Sequence, residues 1–220
     1  MKLYHHTICP FSRQIRLYLK ELDTEFKLFR EDYWLRSQSL LKLNPAGNLP
    51  VLMLDDNSII SGAYPITEYF NDAYQDFIFM SQNILIKSEI RRLIHWCNDK
   101  LYHEVTKILI NEKFISMIFS YTPRVNHLQI AHENLMQHLK YFTNMLESRS
   151  FLACDTVSAA DIALACHISI IDYFGQINWD KWHVIKNWYV ILKSRPSFQE
   201  LLHDRLAGFD PPLYYHELDF

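Results

Sequence analysis

The sequence predicts an α/β domain at the N-terminus followed by an all-α domain, and three observations carry this prediction. Strand-like and helix-like patterns alternate over about the first 80 residues in the order βαβαββα. After residue 82 no strand pattern appears, and the next glycine is Gly175. Apolar residues recur there at helical spacing, as they do on the core-facing sides of bundled helices. We therefore expect domains over residues 1–80 and 85–220.

The first domain opens with a βα unit. Lys2 to His5 has the length and pattern of a short strand, and an apolar stripe interleaved with charges predicts a helix after Cys9-Pro10. The remaining elements follow in order: a strand within residues 25–30, a helix within 34–43, a hairpin from Pro50 to Ile60 and a helix around 66–70.

The second domain is predicted from helical periodicity. Apolar residues recur at i, i+3, i+4 and i+7 from Ile90 to Leu109 and again from Leu128 to Leu146, which predicts two long amphipathic helices. The segment Ser158-Ala159-Ala160-Asp161 is a capping signature, because the serine oxygen can accept an N–H while the acid reaches back. The almost wholly apolar run that follows it to Phe174 predicts the buried central helix of this domain.

Composition and charge exclude several classes of function. The chain has 220 residues, a formal net charge of -3 and no long basic run, which argues against a nucleic-acid partner. Its apolar stretches are interrupted well before the ~20 residues of a membrane span, and the opening MKLYHH lacks signal-peptide character. The four cysteines are too few and too scattered to staple the domain, so reduced thiols are expected. We expect a cytoplasmic protein with neither a nucleic-acid nor a membrane partner.

Cys9 is the cysteine with a special place in the sequence. It opens the segment Cys9-Pro10-Phe11-Ser12 between the first strand and the first helix, near the free N–H groups and positive dipole end of that helix. Such a place favours the thiolate, and we expect the pKa of the thiol to be lowered by roughly one unit. Four side chains nearby in sequence could add positive potential: His5, His6, Arg13 and Arg16.

Other interpretations of this segment are weaker. Ser12 stands where a C-x-x-C oxidoreductase has its second cysteine, so a dithiol mechanism is excluded. His5, His6 and Cys9 could be three metal ligands, but neighbouring strand residues point to opposite faces and no fourth ligand is evident, so no metal is expected. The Ser12 hydroxyl could itself activate a thiol, although a hydroxyl in the first turn of a helix commonly bonds the backbone.

A second segment, Asn44 to Pro50, is rich in turn-forming residues and leads directly into a predicted strand. Pro50 is suited to a cis peptide bond, which would present free backbone groups toward the thiol. Taken alone, the segment is an ordinary turn with a trans proline, since trans is much the commoner form.

Four motifs resemble those of glutathione transferases in order and spacing: CPFS after the first strand, NPAGNLPVL before the hairpin, IxEY in the next helix and SAADIALA in the helical domain. The resemblance spans almost the whole chain, and CPFS is most similar to the omega and glutaredoxin-like branches. It implies a thioredoxin-like first domain, a glutathione-transferase-type helical domain, a homodimer, glutathione as co-substrate and a cis Pro50.

The resemblance also implies roles for individual residues. Cys9 falls where those branches keep the thiol that bonds to glutathione sulfur or resolves a mixed disulfide. Leu49 would pair its backbone with the cysteinyl part of glutathione, and Arg36 falls near a basic residue that holds the glycyl carboxylate. The implied glutathione-site residues are Cys9, Phe11, Ser12, Arg36, Leu49, Pro50, Gly62 and Ala63.

The sequence departs from the family pattern at two places. Relatives usually have Glu-Ser at the start of the helix after the hairpin, to hold the γ-glutamyl group, where this chain has Gly62-Ala63. Backbone N–H groups at a helix start can still bind a carboxylate, so weak glutathione binding is expected. The second departure is Cys154, in a segment where relatives usually carry glycine.

The leading functional hypothesis is a glutathione-dependent thiol transferase or reductase. The Cys9 thiolate would attack a mixed disulfide or an electrophile conjugate, and glutathione would resolve the adduct. A conjugating transferase that uses Cys9 to anchor glutathione is the nearest alternative. A non-catalytic, protein-binding scaffold is the alternative from another class, and Gly62-Ala63 is the feature that favours it.

Overall fold

The computed structural model describes residues 1–75 and 77–218. The chain divides into two compact units, Met1–Phe79 and Met80–Phe220. The first contains the sheet and the second is helical, which confirms the predicted α/β plus all-α class.

The first unit is a four-stranded mixed sheet with three α-helices. The strands lie in the order β2-β1-β3-β4, with β2 parallel to β1 and the other neighbours antiparallel. The elements are β1 (Lys2–His5), α1 (Pro10–Glu21), β2 (Lys27–Arg30), a 3-10 turn (Tyr33–Leu35), α2 (Gln38–Leu43), β3 (Val51–Met53), β4 (Ile59–Ser61) and α3 (Ala63–Ala73).

Strand β1, which leads into the loop that carries Cys9, lies in the interior of this sheet. Leu3 pairs with Leu28 on one side and Leu52 on the other, and Leu3 and Leu52 are fully buried. Only four residues separate the end of β1 from Pro10, the first residue of α1. The loop from His6 to Cys9 is therefore fixed at both ends by packed elements.

The second unit begins with a continuous helical segment over residues 84–118. Its first part is α4 (Ile84–His95), whose N-terminus is capped by the side chain of Asn83. The backbone then changes to π-helix over Trp96–Thr106 and Ile110–Ile115, with an α-turn between and after these segments. The other α-helices of the described residues are α5 (Val125–Leu146), α6 (Ala159–Tyr173), α7 (His183–Lys193) and α8 (Pro196–Leu202), and 3-10 turns lie at Trp179–Lys181 and Leu213–His216.

Helix α6 is the buried centre of the second unit, as its sequence predicts. All of its residues are buried, and the expected capping box between Ser158 and Asp161 is present. Asp161 also accepts hydrogen bonds from the Leu152 N–H at 2.9 Å and the Trp188 indole N–H at 2.9 Å. Because a buried carboxylate needs such partners, the cap and the tertiary packing stabilise each other.

Within residues 1–75 and 77–218, no helix combines the length and the apolar character needed to cross a membrane.

Candidate functional site at Cys9

Cys9 lies at the junction between β1 and α1, where it is the N-cap residue of the helix. Its N–H donates to the carbonyl of His6 at 3.0 Å, and its own carbonyl accepts from the Arg13 N–H at 3.1 Å. Its side chain is only 5% exposed and belongs to an apolar cluster with Leu40, Leu49 and Val51. The residue whose place at a helix start predicts a reactive thiol is therefore part of the core.

Burial raises the pKa of the Cys9 thiol above its ordinary value. The Ser12 hydroxyl, the Ser12 and Phe11 N–H groups and the Arg13 charge act in the opposite direction, and together they do not offset the loss of solvent. The expectation of a lowered pKa is therefore wrong. The helix start is where the sequence placed it, but a thiolate there would have to be formed in an apolar enclosure.

Ser12 and Phe11, the other residues of the segment, flank the thiol. The Ser12 side chain is completely buried, and its Oγ makes no hydrogen bond of normal geometry with any residue in 1–75 or 77–218. It is nevertheless near enough to lower the thiol pKa. Phe11 is half-buried and packs against the same apolar cluster as Cys9.

The nearby basic residues do not place a cluster of positive charge on the thiol. Burial, with the charges of Arg30 and Arg13, lowers the pKa of His6 to about 3, so its ring is neutral at physiological pH. Its Nδ1 accepts the Ile8 N–H at 3.1 Å, which leaves the proton on Nε2, 3.4 Å from Asp32. His6 thus orders the loop that carries Cys9, a role that the sequence did not indicate.

The peptide bond between Leu49 and Pro50 is cis, as expected. The Cys9 thiol donates to the Leu49 carbonyl, with an Sγ–O distance of 3.9 Å. The carbonyl of Pro50 accepts the Gly62 N–H at 2.9 Å. This chain of contacts brings Cys9, Leu49, Pro50 and Gly62 into one site.

The loop before Leu49 is ordered by Asn44, a residue whose sequence context indicates only a turn. Its Nδ2 donates to the Asn48 carbonyl at 3.0 Å and to the Asn48 side chain at 2.6 Å. Its Oδ1 accepts the Ala46 N–H at 3.2 Å. An asparagine that bonds its own loop in this way is typical of an Asx turn, and the Asn-Pro pair was the available signal.

Arg36 is joined to the site through this loop. It is exposed, with a backbone φ of 47°, and its guanidinium donates to the Ala46 carbonyl at 3.3 Å. A Cβ added to Gly47 would come within 3.0 Å of the Arg36 guanidinium. Glycine at position 47 therefore lets the guanidinium lie against the loop.

The start of α3 lacks the side-chain acceptors of the usual pattern. Gly62, its N-cap residue, has φ 92° and ψ 146°, a conformation that is essentially restricted to glycine. Ala63 follows with its side chain buried, and Pro65 has no N–H. Helix geometry leaves the N–H groups of Ala63 and Tyr64 without intrahelical acceptors, so this helix start offers two backbone donors to a carboxylate.

The residues of the site offer glutathione part of its usual environment. A backbone carbonyl before a cis proline and two N–H groups at a helix start are present, while the γ-glutamyl ammonium finds no carboxylate at position 62 or 63. No group of three or more His, Cys, Asp or Glu side chains in the described part of the chain is arranged to hold a metal ion.

A thioredoxin-like unit with a cis proline before β3, together with a helical second unit, defines a protein of the glutathione transferase type. The family model of the glutathione S-transferase N-terminal domain matches residues 8–73. FtsZ-localized protein A of Caulobacter vibrioides is 35% identical over 222 residues, covering 99% of this chain and 97% of that protein.

Two solved structures are similar over the full length. A glutathione S-transferase from Rhodospirillum rubrum has a TM-score of 0.96 and 35% identity, covering 100% of this chain and 99% of that one. The structure described as FzlA from C. crescentus has a TM-score of 0.95 and 34% identity, with the same coverage of 100% and 99%. The chain belongs to the glutathione transferase superfamily.

Proposed function

We propose that this protein is a protein-binding member of the glutathione transferase superfamily that associates with FtsZ, and that it is not primarily a glutathione-dependent enzyme. The observation that carries the proposal is the state of Cys9. Its thiol is enclosed among Leu40, Leu49 and Val51, and burial raises its pKa.

A thiol in this state is a poor nucleophile at neutral pH. A free cysteine, with a pKa of about 8.5, is only a few per cent ionised there, and a raised pKa reduces that fraction further. Without Glu-Ser side chains at the start of α3, the site also loses one or two charge-assisted hydrogen bonds, each about 1.5–3 kcal/mol. Both effects weaken glutathione chemistry and leave the fold itself intact.

The choice of partner rests on a relative. FtsZ-localized protein A carries FtsZ in its name, and its sequence aligns with 99% of this chain. We therefore propose FtsZ as the partner. The homodimer and the cytoplasmic location expected from the sequence are parts of the same proposal.

A fluorescent fusion tests the proposal in the cell. The fusion is expressed at native level in the source organism together with a marked FtsZ. We expect the two signals to coincide, and we expect the fusion to disperse when FtsZ is depleted. A fusion that stays diffuse while FtsZ forms its usual structures would contradict the proposal.

A cysteine-type, omega-like thiol transferase is the second candidate. It is favoured by the position of the Cys9 thiol beside Leu49, because the backbone of Leu49 would pair with the cysteinyl part of glutathione. Upon opening of the cluster, the Cys9 thiolate would attack the glutathione sulfur of a mixed disulfide, form a Cys9–glutathione disulfide and expel the substrate thiolate, which takes up a proton. The thiolate of a second glutathione would attack the sulfur of that glutathione, release glutathione disulfide and return Cys9.

Mass spectrometry of the intact protein decides between the two candidates. The protein is incubated with a glutathione mixed disulfide, and Cys9→Ala serves as the control. The scaffold proposal expects no adduct at Cys9. An adduct that is absent from Cys9→Ala and is cleared by reduced glutathione would favour the transferase.

A further inference from the structure

The turn that joins the helical segment 84–118 to α5 exposes several large apolar side chains. Phe119 is 52% exposed and Val125 76% exposed, within a stretch of nine residues. We call this stretch the tip surface; its apolar members are Met117, Ile118, Phe119, Tyr121 and Val125. Isolated exposed apolar residues are normal, whereas five within nine residues of sequence are typical of an interaction site.

A buried carboxylate stabilises the turn that carries the tip surface. Glu112 is only 1% exposed, and it accepts the Arg124 N–H at 2.9 Å and the Arg124 guanidinium at 2.8 Å. The His127 ring lies 3.3 Å from the same carboxylate. Burial alone would raise the pKa of Glu112, but these contacts hold it below its usual range. A charged Glu112 thus ties the start of α5 to the preceding helical segment.

Hydrogen bonds within the turn stabilise its conformation further. The Tyr121 hydroxyl donates to the Asn111 carbonyl at 2.8 Å, and the Tyr121 N–H donates to the Ser116 carbonyl at 3.0 Å. The Ser116 hydroxyl donates to the Glu112 carbonyl at 2.6 Å. Because the turn is already ordered, little conformational entropy is lost when it binds a partner.

The fixed charges in the sequence that contains the tip surface, residues 113–132, have one sign. No Asp or Glu occurs between Glu112 and Glu133, whereas Lys113, Arg124 and two histidines do. Glu112 is buried, whereas the Arg124 side chain that pairs with it is 59% exposed, so the pair presents its positive side to solvent. The exposed side chains of the tip surface are apolar and aromatic, and the residues beside them carry a small positive charge. A protein segment would match this surface if it had apolar side chains flanked by carboxylates.

We infer that the tip surface is the docking site for an acidic, apolar segment of the protein partner. This inference rests on the proposed association with FtsZ and names the surface that would make the contact. An anionic membrane fits less well, because two fixed cations contribute only about 1 kcal/mol each to membrane attraction.

Binding of FtsZ by the full chain, measured by interferometry on purified FtsZ from the same organism, tests the inference. The tip variant is Phe119→Ser with Val125→Ser. The matched control is Ile84→Ser, because Ile84 is 82% exposed and lies at the opposite end of the same helical segment. We expect the tip variant to bind at least about tenfold more weakly than wild type, and the control to bind like wild type. Wild-type binding should also weaken with added salt.

The outcomes separate the two proposals. Failure of wild type to bind FtsZ contradicts the proposed function and, with it, this inference. Equal binding by wild type, the tip variant and the control, with thermal unfolding showing all three folded, overturns the inference alone. It is likewise overturned if the tip variant instead loses flotation on phosphatidylglycerol vesicles, or if it changes from dimer to monomer in light scattering.

Discussion

The thiol of Cys9 donates to the carbonyl oxygen of Leu49 across an Sγ–O distance of 3.9 Å. Both residues are 5% exposed and belong to the same apolar cluster. A side chain that lies at a helix start, where a nucleophile is often found, is here directed at backbone and closed off from solvent. Its reactivity therefore depends on opening of the cluster.

The order of cysteine alkylation follows from this enclosure. Cys154 is partly exposed, whereas Cys9, Cys97 and Cys166 are buried. We expect iodoacetamide to label Cys154 first in the native protein, because a buried, protonated thiol reacts slowly. Peptide mass spectrometry of time-quenched samples measures the order, with urea-unfolded protein as the control. Faster labelling of Cys9 than of Cys154 would contradict the enclosed, protonated state of Cys9 and support the activated thiolate that the sequence predicts.

Gly62→Ala tests the backbone at the start of α3. The native φ of 92° and ψ of 146° are unfavourable for any residue with a Cβ. We expect a loss of about 1–3 kcal/mol in the free energy of unfolding, measured by urea titration. Ser61→Ala, in the adjacent strand, is the control and should change stability little. Equal stability of the two variants would show that this backbone relaxes without cost.

The buried His6 ring is expected to make stability depend on pH. Its pKa is lowered from 6.5 to about 3, so the folded chain binds fewer protons than the unfolded chain between these values. The stability associated with the neutral ring is fully present above pH 6.5 and is lost as pH falls toward 3, by up to about 1.4 kcal/mol per pH unit.

His6→Asn should reduce this dependence because asparagine does not titrate, and its side-chain oxygen can still accept the Ile8 N–H in place of Nδ1. Urea unfolding at several pH values between 4 and 6.5 measures the slope. Part of the slope remains in the variant, since the pKa of His167 is also lowered to about 3. His103→Asn, at an exposed histidine, should keep the wild-type slope. An unchanged slope in His6→Asn would contradict the neutral, buried state of His6.

The proposed homodimer is tested by mass. One chain is 26.3 kDa, so static light scattering at micromolar protein should give twice that value. Dilution should lower the mass only at much smaller concentrations. A mass of one chain across the whole range would remove the dimer from the proposal.

Much of the fold could be predicted because local signals and tertiary packing agree. The capping box of Ser158 and Asp161 was visible in the sequence, and the same carboxylate binds Trp188 in the core. The turn residues before Pro50 were equally visible. The cis bond was expected only from the resemblance to glutathione transferases, because the segment taken alone favours the trans form. At the capping box and the turn, local residues are enough to specify the conformation.

The state of the site could not be predicted in the same way. A helix start is visible in CPFS, but the enclosure of Cys9 depends on Leu40, Leu49 and Val51, which come from other elements. Desolvation by these residues outweighs the local effect of the helix on the thiol pKa. The buried Glu112 was missed for a related reason: helical periodicity marks apolar faces and says nothing about a carboxylate that pairs with Arg124 across a turn.

Co-sedimentation with FtsZ polymers tests most directly the claim that this fold binds protein without using Cys9. Wild type and Cys9→Ala are spun with FtsZ assembled in GTP, with and without excess reduced glutathione. The account predicts that both proteins pellet with FtsZ to the same extent, that glutathione changes neither, and that neither pellets when FtsZ is omitted. Absence of wild-type protein from the FtsZ pellet, or its loss on Cys9→Ala substitution in a variant that unfolds at the wild-type temperature, would contradict it.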